Sequence, residues 1–93
     1  MGKLRIVIAD DNERMLQLLE DIIKTDNDME VVGKAENGEI CLSIIREMQP
    51  DVVLLDIVMP KLDGLTVMEK THADSRIRKK PAFIIITAIG QEG

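Results

Sequence analysis

Four short apolar runs, each of the first three followed by an amphipathic stretch, set the pattern of this chain. Residues 3–9 (KLRIVIA) are β-branched and apolar, as in a strand covered on both faces, and the run stops abruptly at Asp10-Asp11-Asn12. Asp11 or Asn12 can cap a helix, because each offers a side-chain oxygen to free backbone N–H groups. Apolar residues then fall at 15, 18, 19, 22 and 23, one helical face, before Asp26-Asn27-Asp28 turns the chain. Residues 29–35 (MEVVGKA) predict a second strand, less apolar and so at an edge. Asn37-Gly38 opens a second helix whose apolar face is Cys41, Ile44, Ile45 and Met48. Pro50 stops it, since the residue before a proline avoids helical geometry. Residues 51–56 (DVVLLD) are the most hydrophobic strand and belong in the centre. A loop with Met59-Pro60 and Asp63-Gly64 leads to a weaker helix over 65–73, then to a solvated basic connector over 76–81 and a fourth strand over 82–87 (AFIIIT).

A βαβαβαβ order with short connections predicts an α/β fold, a doubly wound parallel sheet, because each helix carries the chain back over the sheet. Ligands of such folds bind at the carboxyl ends of the strands, near the point where strand order reverses. Asp10 and Asp11 stand at the end of the first strand, Asp56 at the end of the third and Thr87 at the end of the fourth. In a 2-1-3-4 order the first and third strands are neighbours, and the three carboxylates converge on one pocket. Taken singly, Asp10-Asp11 reads as a helix cap and Asp56 as a turn residue; their joint placement argues for a shared site. Three ionised carboxylates repel one another unless a counter-charge joins them. Mg²⁺ suits the need, because it takes one or two carboxylates, keeps several waters and can hold a phosphate oxygen. An aspartate beside such an ion, with a hydroxyl on the next strand, is equipped to form an aspartyl phosphate.

Composition narrows the alternatives. Seventeen acidic against twelve basic residues give a net charge of −5, and Phe83 is the only aromatic residue. Neither a broad phosphate-binding surface nor a stacking platform for single-stranded nucleic acid is available. Ninety-three residues suffice for one domain, 1–93. Cys41, the only cysteine, lacks an intrachain partner, which points to a reducing compartment, and its place on an apolar helix face makes it core. No apolar run is long enough for a membrane span, and there is no signal-peptide pattern; a cytoplasmic domain is expected. His72 reads as a solvated side chain and the six methionines as core filler.

Together, Asp10-Asp11, Asp56, Met59-Pro60, Asp63-Gly64 and Thr87-Ala88 at these spacings resemble the receiver domain of bacterial two-component response regulators. Finer stretches (IADDN at 8–12, NGEICLSI at 37–44, LDIVMPKLDGL at 55–65 and TAIGQE at 87–92) resemble the receiver half of sporulation regulators of endospore-forming Firmicutes. The resemblance implies a flavodoxin-like fold and makes Asp56 the phosphoacceptor. It implies Mg²⁺ held by Asp11, Asp56 and the Val58 backbone carbonyl, with Asp10 assisting through water, and Thr87 as the switch hydroxyl. It implies a histidine kinase or phosphotransferase bearing phosphohistidine as partner, and DNA contact only through an effector domain absent here. A complete receiver carries a further α-β-α portion with a lysine on its fifth strand. The expectation is therefore a truncated receiver, with weakened phosphorylation and self-association through the open edge of the fourth strand. Lys79 and Lys80 sit at the wrong end of that strand to replace the lysine. Rival readings are a Mg²⁺-dependent phosphohydrolase, disfavoured because Val58 stands where a second aspartate is needed, and an interaction domain that never takes phosphate. The chain is thus expected not to be an enzyme.

Overall fold

The computed structural model describes residues 2–59 and 61–86. Its elements are β1 (Leu4–Ala9), α1 (Glu13–Lys24), β2 (Met29–Ala35), α2 (Gly38–Met48), β3 (Val52–Asp56), α3 (Gly64–Ala73) and β4 (Ala82–Ile86). Each helix starts on a side-chain cap: the Asn12 oxygen accepts from the amides of Arg14 and Met15, Asn37 from Ile40, and Asp63 from Thr66. Of the two candidate caps for α1, Asn12 takes the role.

All strand pairs are parallel and the order is β2-β1-β3-β4. Side chains alternate across the sheet, so β1 sends Val7 and Ala9 one way and Ile6 and Ile8 the other. The first face packs with α2 and α3 through Cys41, Ile45, Val53, Leu55, Val67 and Ile77, all fully buried. The second packs with α1 through Leu16 and Ile23. The predicted doubly wound α/β sheet is therefore present.

One local expectation changes and another is filled in. The inward stripe of α1 is Leu16, Leu19 and Ile23, while Leu18 and Ile22 are 52% and 55% exposed. Because α1 lies over β1 and β2, the flank of its apolar face turned away from them is left uncovered among the described residues. The connector before β4 is solvated as expected, with Arg76, Arg78, Lys79 and Lys80 all exposed, and specific contacts also pin it. The Asp74 carboxylate accepts from Arg76 (2.9 Å) and Arg46 (2.8 Å), and those guanidinium groups hold it well below the usual carboxylate range. Gln49, in the left-handed region at φ 45°, accepts from the Lys79 amide and donates to the Arg76 carbonyl. Lys79 pairs with Asp51, and Lys80 donates to the carbonyls of Thr71, in the last turn of α3, and of its C-cap Asp74. Between these contacts Ile77 is fully buried. Lys79 and Lys80 do sit at the start of β4, away from Asp56.

Candidate functional site

Register brings the acidic residues together. Ala9 is the partner of Leu55 across the β1–β3 pair, so Asp10 and Asp56 follow from adjacent strand positions. The β1 terminus is held by the Asp10 amide, which donates to the Ala35 carbonyl at 3.0 Å. Carboxylate oxygens of Asp10, Asp11 and Asp56 all lie within 4.8 Å of one another. These are the three aspartates the strand-end argument singles out.

Their surroundings differ. Asp10 is only 6% exposed, Asp56 is half-buried and Asp11 is exposed. Burial pushes the Asp10 carboxyl above its ordinary value, the Asn12 amide at 2.9 Å opposes that, and the charges of Asp56 and Asp11 add to it. One oxygen of Asp56 accepts from the Val58 amide at 3.1 Å, which ties the carboxylate to the backbone of the following loop. The Asn12 contact has a sequence signal that a pair of aspartates alone would hide: the residue that caps α1 also supplies a backbone donor to Asp10.

The loop after Asp56 is shaped by residues that do not enter the carboxylate cluster. Met59 is buried, Asp63 caps α3, and the Gly64 amide donates to the Ile57 carbonyl at 2.9 Å. A Cβ on Gly64 would lie 2.8 Å from the Asp56 carbonyl oxygen and 2.9 Å from Ile57 Cα, closer than real side chains come. Glycine at 64 lets α3 begin directly against the end of β3. The loop-shaping parts expected of Met59 and Asp63-Gly64 are visible here; Pro60 lies outside the described residues. Val58 is 78% exposed, its apolar side chain in solvent two residues beyond Asp56. Thr87 also lies outside the described residues; Ile86, just before it, is the register partner of Asp56.

Chemically, the cluster is an all-oxygen donor set of three carboxylates with surplus negative charge, one of them removed from water. That matches a hard divalent cation better than a soft or nitrogen-preferring metal. The residues present fit Mg²⁺. An open depression of about 560 Å³ lies nearby, lined by Glu13, Arg14, Leu16, Gln17, Lys34 and Glu36, and none of the three aspartates lines it.

The model of the response regulator receiver domain matches residues 6–93 of this chain. Among solved structures, the response regulator domain of Thermotoga maritima CheB is 33% identical, with a TM-score of 0.81 over 98% of this chain and 65% of that one. The signal receiver domain of the putative response regulator NarL from Mycobacterium tuberculosis is 28% identical, with a TM-score of 0.86 over 95% of this chain and 68% of that one. A CheX–CheY–BeF3–Mg²⁺ complex from Borrelia burgdorferi matches at 27% identity and a TM-score of 0.83, over 98% of this chain and 66% of that one. The chain spans about two thirds of the length of these structures.

Proposed function

This chain belongs to the response regulator receiver family, and from that premise we propose that it is a phosphoacceptor signalling module, phosphorylated on Asp56 in a Mg²⁺-dependent reaction. The observation that carries the reading is the meeting of Asp10, Asp11 and Asp56 within 4.8 Å at the carboxyl ends of two adjacent strands. An oxygen of Asp56 attacks the phosphorus of a phosphohistidine on a histidine kinase or phosphotransferase. The O–P bond forms as the P–N bond breaks, and the leaving imidazole keeps the electron pair. The Val58 amide holds the other Asp56 oxygen and so aims the attacking one. On this reading Asp11, Asp56 and the Val58 carbonyl hold the ion, and Asp10 acts through water. Bound there, Mg²⁺ supplies counter-charge to the carboxylates and to the incoming phosphoryl group. The Borrelia burgdorferi complex, which contains BeF3 and Mg²⁺, makes those two ligands the natural first probes.

Thr87 is assigned the switch hydroxyl, since it follows the partner of Asp56 in sequence. The finer likeness of residues 8–12, 37–44, 55–65 and 87–92 to sporulation regulators assigns the output: phosphorylation switches a sporulation transcription regulator. A second copy is a further partner on this reading, meeting the first along β4, where Ile84 is 53% exposed and no other described strand pairs on the outer side.

The reading makes the chain a switch and not an enzyme, and intact mass after exposure to acetyl phosphate and Mg²⁺ tests it. A single phosphate adduct, lost in Asp56→Asn, is expected. Acetyl phosphate turnover without an adduct would establish a phosphohydrolase instead. Neither adduct nor turnover would leave an interaction domain that takes no phosphate.

A further inference from the structure

Gly38 stands outside the carboxylate cluster and binds nothing, yet its bare α-carbon faces the loop that leaves Asp56. Asn37 fixes the first turn of α2 by accepting from the Ile40 amide at 2.9 Å, and Gly38 follows it, buried. A Cβ built on Gly38 would lie 2.5 Å from Leu62 Cβ and 2.6 Å from the Leu62 carbonyl carbon, and it would overlap the Leu62 carbonyl oxygen outright. Real Cβ atoms essentially never come within 3.0 Å of such neighbours, and a backbone carbonyl cannot rotate away as a side-chain end can.

Leu62 belongs to the segment between Asp56 and the α3 cap Asp63, which has little freedom to give. At its start the Asp56 carboxylate accepts from the Val58 amide, and at its end Gly64 closes onto the Ile57 carbonyl. Lys61, next to Leu62, holds a left-handed φ of 71°, so its backbone is already in a conformation few side chains favour. A push on Leu62 is passed on through the neighbouring Asp63 to Gly64, whose amide donates to the Ile57 carbonyl and whose α-carbon abuts the Asp56 carbonyl.

We propose that Gly38 is a positioning residue for the phosphoacceptor, the start of α2 serving as the seat against which residues 61–64 set the geometry at Asp56. The proposal rests on the phosphoacceptor reading above and adds to it a mechanical link from α2 to the site. Misplacing reacting groups by about an ångström can cost on the order of a hundredfold in rate. Gly38→Ala forces a displacement at Leu62 while removing none of the three carboxylate groups.

The test compares Gly38→Ala with Gly33→Ala and the unaltered chain. Gly33 is the control, because the nearest atoms to a Cβ there are side-chain atoms of Ile44 (Cγ2 at 2.6 Å) and Val7 (Cγ2 at 3.6 Å), with no backbone and no residue of the loop among them. Urea titrations give stability; acetyl phosphate labelling and Mg²⁺ titration followed by amide NMR give function. The expected result is a tenfold to hundredfold slower labelling of Gly38→Ala, beyond what Gly33→Ala shows at comparable loss of stability. Labelling that is unchanged, or that falls in both variants in step with stability, overturns the proposal. A measurement on the unaltered chain decides the matter should Gly38→Ala not fold. Adding MgCl₂ alone should shift the amide signals of Gly38 and Glu39 as well as those around Asp56, and silence at Gly38 overturns the link. Should the unaltered chain neither bind Mg²⁺ nor accept phosphate, the phosphoacceptor reading fails and this proposal with it. Normal labelling with a silent Gly38 removes only the proposal.

Discussion

Neutralising Asp10 should make the metal-free protein more stable and the magnesium-loaded protein less so. Asp10→Asn keeps an oxygen to accept from the Asn12 amide, so the 2.9 Å hydrogen bond survives while the charge goes. In the unaltered chain that charge is buried and stands within 4.8 Å of two other carboxylates. At this separation a like-charge pair costs roughly 3.5 kcal/mol at an effective dielectric of about 20, and just under ~1 kcal/mol in bulk water. With Asp11 exposed and Asp56 half-buried, relief of about 1–2 kcal/mol is expected in EDTA. Mg²⁺ acts in the opposite direction: at a hundred times its dissociation constant, a ligand confined to the folded state stabilises by about 2.7 kcal/mol. The variant, short of one carboxylate, should gain much less. Urea titrations followed by far-ultraviolet circular dichroism, with EDTA or with MgCl₂, read both effects. At a slope of roughly 1–2 kcal/mol per molar the midpoints should separate by about 1 M in EDTA and approach or cross in Mg²⁺. The gap has a pH signature as well. A carboxyl held above its ordinary 3.8 in the folded state lowers stability as pH rises through its titration, because the folded chain then gives up a proton it favours. Below 3.8 Asp10 is protonated in the folded and unfolded states alike, and the EDTA gap should close. An Asp10→Asn protein less stable than the unaltered chain in EDTA, or stabilised equally by Mg²⁺, would refute the shared-site argument.

Two further outcomes are expected. Val58, 78% exposed two residues beyond the proposed phosphoacceptor Asp56, has an apolar side chain that cannot orient a water for attack on a phosphoryl group. Val58→Asn should therefore shorten the lifetime of the phosphorylated chain about tenfold, read as loss of the adduct by intact mass; an unchanged lifetime removes that role. Burial pushes the Cys41 thiol up to about 12, so it should resist a thiol reagent at pH 8 until the chain unfolds. Above the ordinary 9.0 the unfolded chain loses this proton while the folded chain keeps it, so stability should fall by up to ~1.4 kcal/mol per pH unit. That decline should flatten in Cys41→Ala, and equal declines in both proteins would show that the buried thiol is not its source.

Which parts of this molecule can be read from the chain depends on how many residues must agree to specify them. Strand order and register settle the carboxylate cluster, since a run of apolar residues ending in aspartate on two neighbouring parallel strands can only bring those ends together. Helix starts are equally local: Asn12, Asn37 and Asp63 each satisfy amides two or three residues ahead. The inward face of α1 is not local. Periodicity marks Leu18 and Ile22 as apolar, but their exposure follows from α1 lying over β1 and β2, a fact of packing that no spacing within the helix contains. The connector is exposed, as its run of basic residues predicts, but its contacts are only partly legible: Asp74 stands two residues before Arg76, whereas Asp51, the partner of Lys79, lies 28 residues away. Gly38 is the sharpest case. Beside Asn37 it looks like an ordinary turn glycine, yet the contact that demands the missing side chain is with Leu62, twenty-four residues away. A glycine can therefore be required by distant backbone as well as by its own torsion angles. In this chain that distant backbone belongs to the segment leaving Asp56, which is why the position with the least side chain is proposed to constrain the residue proposed to take the phosphate.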